Sequence, residues 1–249
     1  ARKQEVYYCR TRSGGRSSLT FPMVAAGRGV WMTPGDRGIM HMLRSGGRWK
    51  DCPTVYGPCT MIYNRCSCLS RQGVWERIFY ALTGSNGVFT VRSTVDWPTA
   101  GGGRKKGACH HLIGASRGGR MTKIHALSDE RGRPVAFALT PGNAHDLAGA
   151  KALLAIRCPS QKLLADRAHD AASLRDWLAE RGTEPVIPPN PTPQEPNAYD
   201  RDANRDRNLI ERMFCRHKDF RRIATRYGKR ADIFLSAVCL VAAITWWAN

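Results

Sequence analysis

The sequence predicts an α/β fold, a mixed sheet with flanking helices, preceded by a small helical, helix-turn-helix-like domain. Three observations predict it. Between residues 36 and 84, apolar residues recur at helical spacing in three short runs separated by Gly- and Pro-containing turns. From about residue 87 the pattern changes to short β-prone runs, the second and third flanking a turn at Asp129-Glu130-Arg131-Gly132. Helix and strand patterns then alternate, as in an antiparallel start continued by α/β units.

Residues 1–35 are rich in Gly, Arg and Ser and show no sustained periodicity, so a poorly ordered segment is expected there. Ile39, Met40, Met42 and Leu43 form a helical stripe that stops at Ser45-Gly46-Gly47. A second helix is expected over 60–71, and Val74, Ile78, Phe79 and Leu82 mark a third. Short helices with tight turns and scattered Arg suit a DNA-reading helix-turn-helix, and equally any small helical bundle. The second domain, 85–249, begins with a strand at 88–91 and a Gly- and Lys-rich loop at 101–107. Strands at 123–127 and 134–140 follow, then a helix over 146–154, a strand at 162–165, a helix over 171–180 and a short strand at 185–187. The Pro- and Asn-rich stretch 188–198 reads as a surface loop. A long helix over 201–224 and an apolar helix over 233–247 close the chain.

Charge narrows the class of partner. The 249 residues carry 39 Lys and Arg against 20 Asp and Glu, a formal charge of +19. Residues 1–80 hold 13 basic and 4 acidic side chains and residues 81–249 hold 26 and 16, so both parts are positive. Such an excess calls for a polyanion, with nucleic acid ahead of anionic membrane or heparin. The apolar run 233–247 is shorter than the roughly 20 residues that span a bilayer, which favours a buried C-terminal helix and no membrane partner. The first residues are polar and charged, unlike a signal peptide, and the chain opens with Ala rather than Met, which points to processing, a fragment or an imperfect gene start. Nine cysteines are scattered without a Cys-x-x-Cys pair, the pattern of free thiols in a reducing cytoplasm. Cys109-His110-His111 lacks the second cluster that a zinc site needs.

Two places can carry chemistry. Asp166 ends the apolar run Leu163-Leu164-Ala165, at the carboxyl edge of the sheet, where α/β proteins place their sites. Asp170, four residues on, is read equally well as a cap for the next helix. On the long helix, at 100° per residue, Arg207, Glu211, Lys218 and Arg222 fall within an arc of about 60°. One acid among bases is either a solvated face or a metal-binding carboxylate flanked by phosphate-binding cations. Phosphodiester chemistry has the second layout: divalent ions held by converging carboxylates, with Lys and Arg around them to hold DNA.

These residues resemble the insertion sequence 5 family of bacterial transposases, whose catalytic domain is ribonuclease H-like. The family's distal signature is Tyr, two residues, Arg, three residues, Glu, six residues, Lys; Arg207, Glu211 and Lys218 match, with Asn204 in the Tyr place. In its middle signature Asp166 and Ala168 match, with His169 in the aromatic place. Similarity continues through Ile113-Gly114, Ser116-Arg117-Gly118-Gly119, Thr122-Lys123-Ile124-His125-Ala126, Leu139-Thr140-Pro141-Gly142 and Arg221-Arg222-Ile223-Ala224-Thr225-Arg226-Tyr227. Upstream, Gly46-Gly47-Arg48-Trp49, Tyr56-Gly57-Pro58 and Tyr63-Asn64-Arg65 resemble the family's N-terminal domain.

The resemblance implies that Asp166 and Glu211 are catalytic and hold Mg²⁺ or Mn²⁺. It implies that Lys218, Arg207, Arg222, Lys123 and Arg117 contact double-stranded DNA, both the terminal inverted repeats and the target. A homo-oligomer on DNA, in a bacterial cytoplasm and at the nucleoid, is also implied. One departure stands out. The family's first acid is expected where Val91-Arg92-Ser93-Thr94 places Arg92, and a guanidinium cannot ligate a cation. Asp96 lies roughly 13 Å farther along that strand at about 3.3 Å per residue, too far to stand in. Cys66 and Cys68 also depart from the family's bulky or basic preference. A catalytically inactive DNA-binding relic is therefore the alternative to an active enzyme, with a basic RNA-binding protein as a third reading.

Overall fold

The computed structural model describes residues 33–83, 88–98, 111–116, 119–157, 161–188 and 208–247, with the backbone alone for 93–98 and 116. Three helices come first: α1 (Pro34–Ser45), α2 (Cys59–Arg71) and α3 (Val74–Leu82). The sheet strands β1 (Phe89–Pro98), β2 (Gly114–Ser116), β3 (Gly119–Ser128) and β4 (Pro134–Pro141) follow. Then come α4 (Asp146–Ile156), β5 (Lys162–Leu164), a 3-10 turn (Arg167–His169), α5 (Ala172–Ala179) and β6 (Glu184–Val186). The chain ends with α6 (Asn208–Lys218), α7 (Arg221–Ala224), β7 (Thr225–Arg226) and α8 (Ala231–Ala242), which runs on into a wider turn, Ala243–Trp247.

Local chemistry accounts for the element ends. Thr33 caps α1: its hydroxyl accepts from the Asp36 amide while the Asp36 carboxylate accepts from the Thr33 amide, and Pro34 supplies a helical φ at the first position. Burial works against the charged form of Asp36, but bonds from Arg65 and Thr33 outweigh it and hold the carboxyl below its ordinary range. The β3–β4 hairpin closes as expected at 129–132. Asp129 accepts from the amides of Arg131 and Arg133, and Gly132 takes a left-handed φ of 72°.

The sheet is mixed. β1 is antiparallel to β3, with Arg92 opposite Ala126, and β3 is antiparallel to β4. On its other side β1 is parallel to β5, Phe89 opposite Leu163 and Thr90 opposite Leu164, and β5 is parallel to β6. β2 continues along β3, and β7 pairs with the far end of β1 at Trp97 and Pro98. Each sheet face is buried. On one, Phe89, Val91, Leu127, Ala136 and Ala138 pack with Ala150 and Leu153 of α4 and Leu174 and Leu178 of α5. On the other, Ile124, Ala126, Phe137 and Leu139 join Ile210 and Met213 of α6 and the apolar length of α8.

That second cluster also contains Ile39, Met42, Leu43, Ile62, Trp75 and Phe79. The first three helices thus share a continuous core with the sheet and α8. This packing does not by itself identify a helix-turn-helix reader among the three helices. In the α2–α3 pair the second helix, which would enter a DNA groove, buries Val74, Trp75, Glu76 and Phe79 and exposes only Arg77 and Ala81. The long helix expected over 201–224 is corrected. Among the described residues, α6 ends at Lys218 and the helix is interrupted at Asp219-Phe220 before α7. Phe220 takes the N-cap position of α7. The expected disorder of 1–35 and the loop at 188–198 fall almost wholly outside the described residues.

Candidate functional site

β1, β5 and α6 meet at the carboxyl edge of the parallel pair. Continuing the register of Thr90 with Leu164 by two residues brings Arg92 alongside Asp166, just past the end of β5. Arg92 follows Thr90 on the sheet face that carries α6, because Val91 between them packs into the opposite, α4-side cluster. α6 lies against β1 with Ile210 and Met213 buried, which turns Glu211, in its first turn, towards the strand.

There Arg92 Nη1 meets Glu211 Oε1 at 2.7 Å, with the two side chains 30% and 49% exposed. Asp166 is engaged as well. Its Oδ1 accepts from His169 Nδ1 at 2.6 Å across the 3-10 turn, and the His169 ring is fully buried. Hydrogen-bond donors thus occupy oxygens of both candidate carboxylates. A guanidinium cannot ligate a cation, and its fixed charge repels one. Among the described residues no group of three or more His, Cys, Asp or Glu side chains is placed to hold a metal ion. As they stand, Arg92, Asp166, His169 and Glu211 do not fit a divalent cation.

The other expected site residues are dispersed. Arg117 and Arg207 lie outside the described residues, as does the Asp96 side chain. Lys218 ends α6, half-buried. Lys123 points into the fold, where its Nζ donates to the Ala144 carbonyl (2.8 Å) and pairs with Asp146 (2.9 Å) at the start of α4. Arg222 belongs to α7, so the single stripe with Glu211 does not form. Its guanidinium sits between the rings of Trp49 and Tyr227 and donates to the Gly47 carbonyl. Asp170 pairs with Arg175 (2.9 Å), and the N-cap position of α5 is Ala171. Of Cys109-His110-His111 only His111 is described, and its Nδ1 meets the Lys229 carbonyl at 3.0 Å. The six described cysteines are unbridged, as expected of free thiols.

Sequence reasoning missed two groups. His169 was legible only as the occupant of an aromatic place; its spacing of three from Asp166 is the signal that would have paired them. Arg226, only 1% exposed, was legible only as part of the matched run 221–227, because its partners His111 and Thr122 are distant in sequence.

A family described as "Transposase DDE domain" matches residues 92–246, more than half of the chain. A second, described as "Putative transposase of IS4/5 family", matches residues 37–79. A Brucella ovis protein named "Putative transposase for insertion sequence element IS6501" is 34% identical over 126 residues, 50% of this chain and 97% of that protein. A Burkholderia cepacia protein named "Putative transposase for insertion sequence element IS402" is 28% identical over 137 residues, 51% of this chain and 63% of that protein.

Proposed function

Because the chain belongs to the DDE transposase family, we propose that it binds double-stranded DNA at the ends of a bacterial insertion sequence, without metal-dependent cutting. Its formal charge of +19 supports the DNA partner. The observation that carries the second half is the ion pair between Arg92 and Glu211. In the family resemblance, Arg92 stands in the place of the first acid. Converting that acid to a guanidinium removes a ligand, adds a positive charge and ties up Glu211. We read the mixed sheet as ribonuclease H-like, with Asp166 and Glu211 as what remains of the acidic set.

The family's chemistry is hydrolysis that frees a 3′-hydroxyl, followed by attack of that hydroxyl on target DNA. Holding two ends calls for at least a dimer on DNA. No helix among the described residues is long and apolar enough to cross a membrane, and the DNA substrate places the action at the nucleoid.

The test is cleavage of a labelled duplex carrying the flanking inverted repeat, in Mg²⁺ or Mn²⁺, by the native chain and by Arg92→Asp. Binding by both with cutting only by Arg92→Asp is the expected result. Cutting by the native chain would mean that Arg92 leaves Glu211 on DNA and that Asp166 and Glu211 work as catalytic metal ligands.

A further inference from the structure

We propose that a basic edge running from α1 through α7 to the loop before α8 is the track on which duplex DNA lies; this rests on the DNA-binding reading above. α1 buries Ile39, Met42 and Leu43 and exposes Arg37, His41 and Arg44. Their spacing of four and then three puts them on one face, with Arg37 and Arg44 about 10 Å apart along the axis. That rise equals about three nucleotide steps of a duplex at roughly 3.4 Å each.

The face does not stop at the helix end. Gly46, which closes α1 in a left-handed conformation (φ 72°), lies so close to α7 that a Cβ there would stand 2.7 Å from Arg221 Cβ and 3.4 Å from Tyr227 Cε2. The end of α1 is thus set against α7, where the Arg221 side chain is exposed. Arg222, the next residue, turns inward and fastens the seam, through the Gly47 carbonyl and the rings of Trp49 and Tyr227. Arg222 is a positioning residue here.

Beyond the seam, Tyr227, Gly228 and Lys229 are exposed, yet the loop is held from beneath. Buried Arg226 donates from Nε to the Gly228 carbonyl (3.1 Å) and from Nη2 to the carbonyls of Lys229 (2.8 Å) and His111 (2.6 Å); Nη1 reaches Thr122. A guanidinium committed to main-chain carbonyls fixes where the loop, with Tyr227 and Lys229, stands.

Among the described residues, Arg37, Arg44, Arg221 and Lys229 form no ion pair. Of the acids close to them in sequence, Asp36 is paired with Arg65, Asp51 with Arg48 and Asp232 with Arg230, while Asp219, exposed before α7, lies two residues from Arg221. Four positive charges without an ion pair, against the single exposed carboxylate of Asp219, fit a stiff polyanion.

Binding of a fluorescent duplex carrying the inverted repeat is measured across a salt series for three proteins. These are the native chain, an Arg44→Gln/Arg221→Gln/Lys229→Gln variant, and a control that removes as many charges elsewhere, Arg77→Gln/Lys151→Gln/Arg181→Gln. The first variant is expected to lose at least tenfold in affinity, its slope of log K against log salt flatter by about 0.9 for each phosphate that is no longer neutralised. The control keeps the native slope. Arg226→Met, folded by circular dichroism, weakens binding too, because its loop is no longer fixed. An unchanged slope in the first variant, or an equal loss in the control, overturns the track while leaving DNA binding standing. A native chain that binds no duplex overturns the DNA-binding reading itself, and equal affinity for the same sequence as RNA overturns the choice of duplex DNA.

Discussion

The pair Arg92–Glu211 is an open one, and open pairs contribute at most about 1 kcal/mol to stability. The fold therefore tolerates its loss, and what changes is the charge at the site. Arg92→Asp sets a carboxylate facing Glu211, close to Asp166, so mutual repulsion lowers stability by roughly 1 kcal/mol in metal-free buffer. A cation that binds only the folded form offsets this by mass action. Chemical denaturation of both proteins with and without Mg²⁺ checks the point: the variant is stabilised by the ion and the native chain is not. Equal stabilisation of the native chain would show that Arg92 yields to metal.

At the scale of the element, the contact between α3 and α8 hides a carboxyl. Glu76 is buried, its Oε1 accepting from Ser236 Oγ at 2.6 Å while Oε2 has no hydrogen-bond partner. Burial raises its pKa, so the charged form is costlier folded than unfolded. The favourable contribution of the protonated group is complete below the ordinary 4.5 and is lost as pH rises through the folded pKa. Glu76→Gln keeps the shape and the bond to Ser236 but cannot ionise; it should raise the Tm at neutral pH, with the gain vanishing below about pH 4.5. A variant less stable at neutral pH would mean that the carboxylate is solvated there. Nothing in the sequence marks Glu76 as buried, because α8 lies some 160 residues away. The helices and strands themselves were legible, since Ile39, Met42 and Leu43, or Leu163 and Leu164, announce their own period. Asp166 stands just past the end of β5, where its apolar run placed it. Illegible were the break after Lys218, where no Gly or Pro interrupts the pattern, and the arginine partners, since Arg92, Arg222 and Arg226 each find theirs across the fold.

In the whole molecule, three helices, the sheet and α8 close around one apolar cluster, and two histidines are built into the buried structure. His217 is stacked between Phe137 and Trp246, and burial depresses its pKa to about 3. His125, against α4 and sharing a hydrogen bond with Thr140 (2.7 Å), is depressed to about 4 by burial, with Asp146 opposing and His169 and Lys123 assisting. Both take up protons near the ordinary 6.5 only once the chain unfolds. Their folded pKa values are depressed, so stability is complete above pH 6.5 and drains away as pH falls towards 4. Within that window each histidine tilts the unfolding free energy by about 1.4 kcal/mol per pH unit. Asp36 adds to the loss only below the ordinary 3.8, and Glu76 acts in the opposite sense. Urea midpoints between pH 7 and 4 should therefore fall steeply. His217→Phe, which keeps a ring against Phe137 and Trp246, should remove about half of the histidine contribution to that slope, leaving His125 and, in the opposite sense, Glu76 to couple folding to protons in this range. A native profile that stays flat down to pH 4 would mean that both rings ionise in place, and that the core around them admits water.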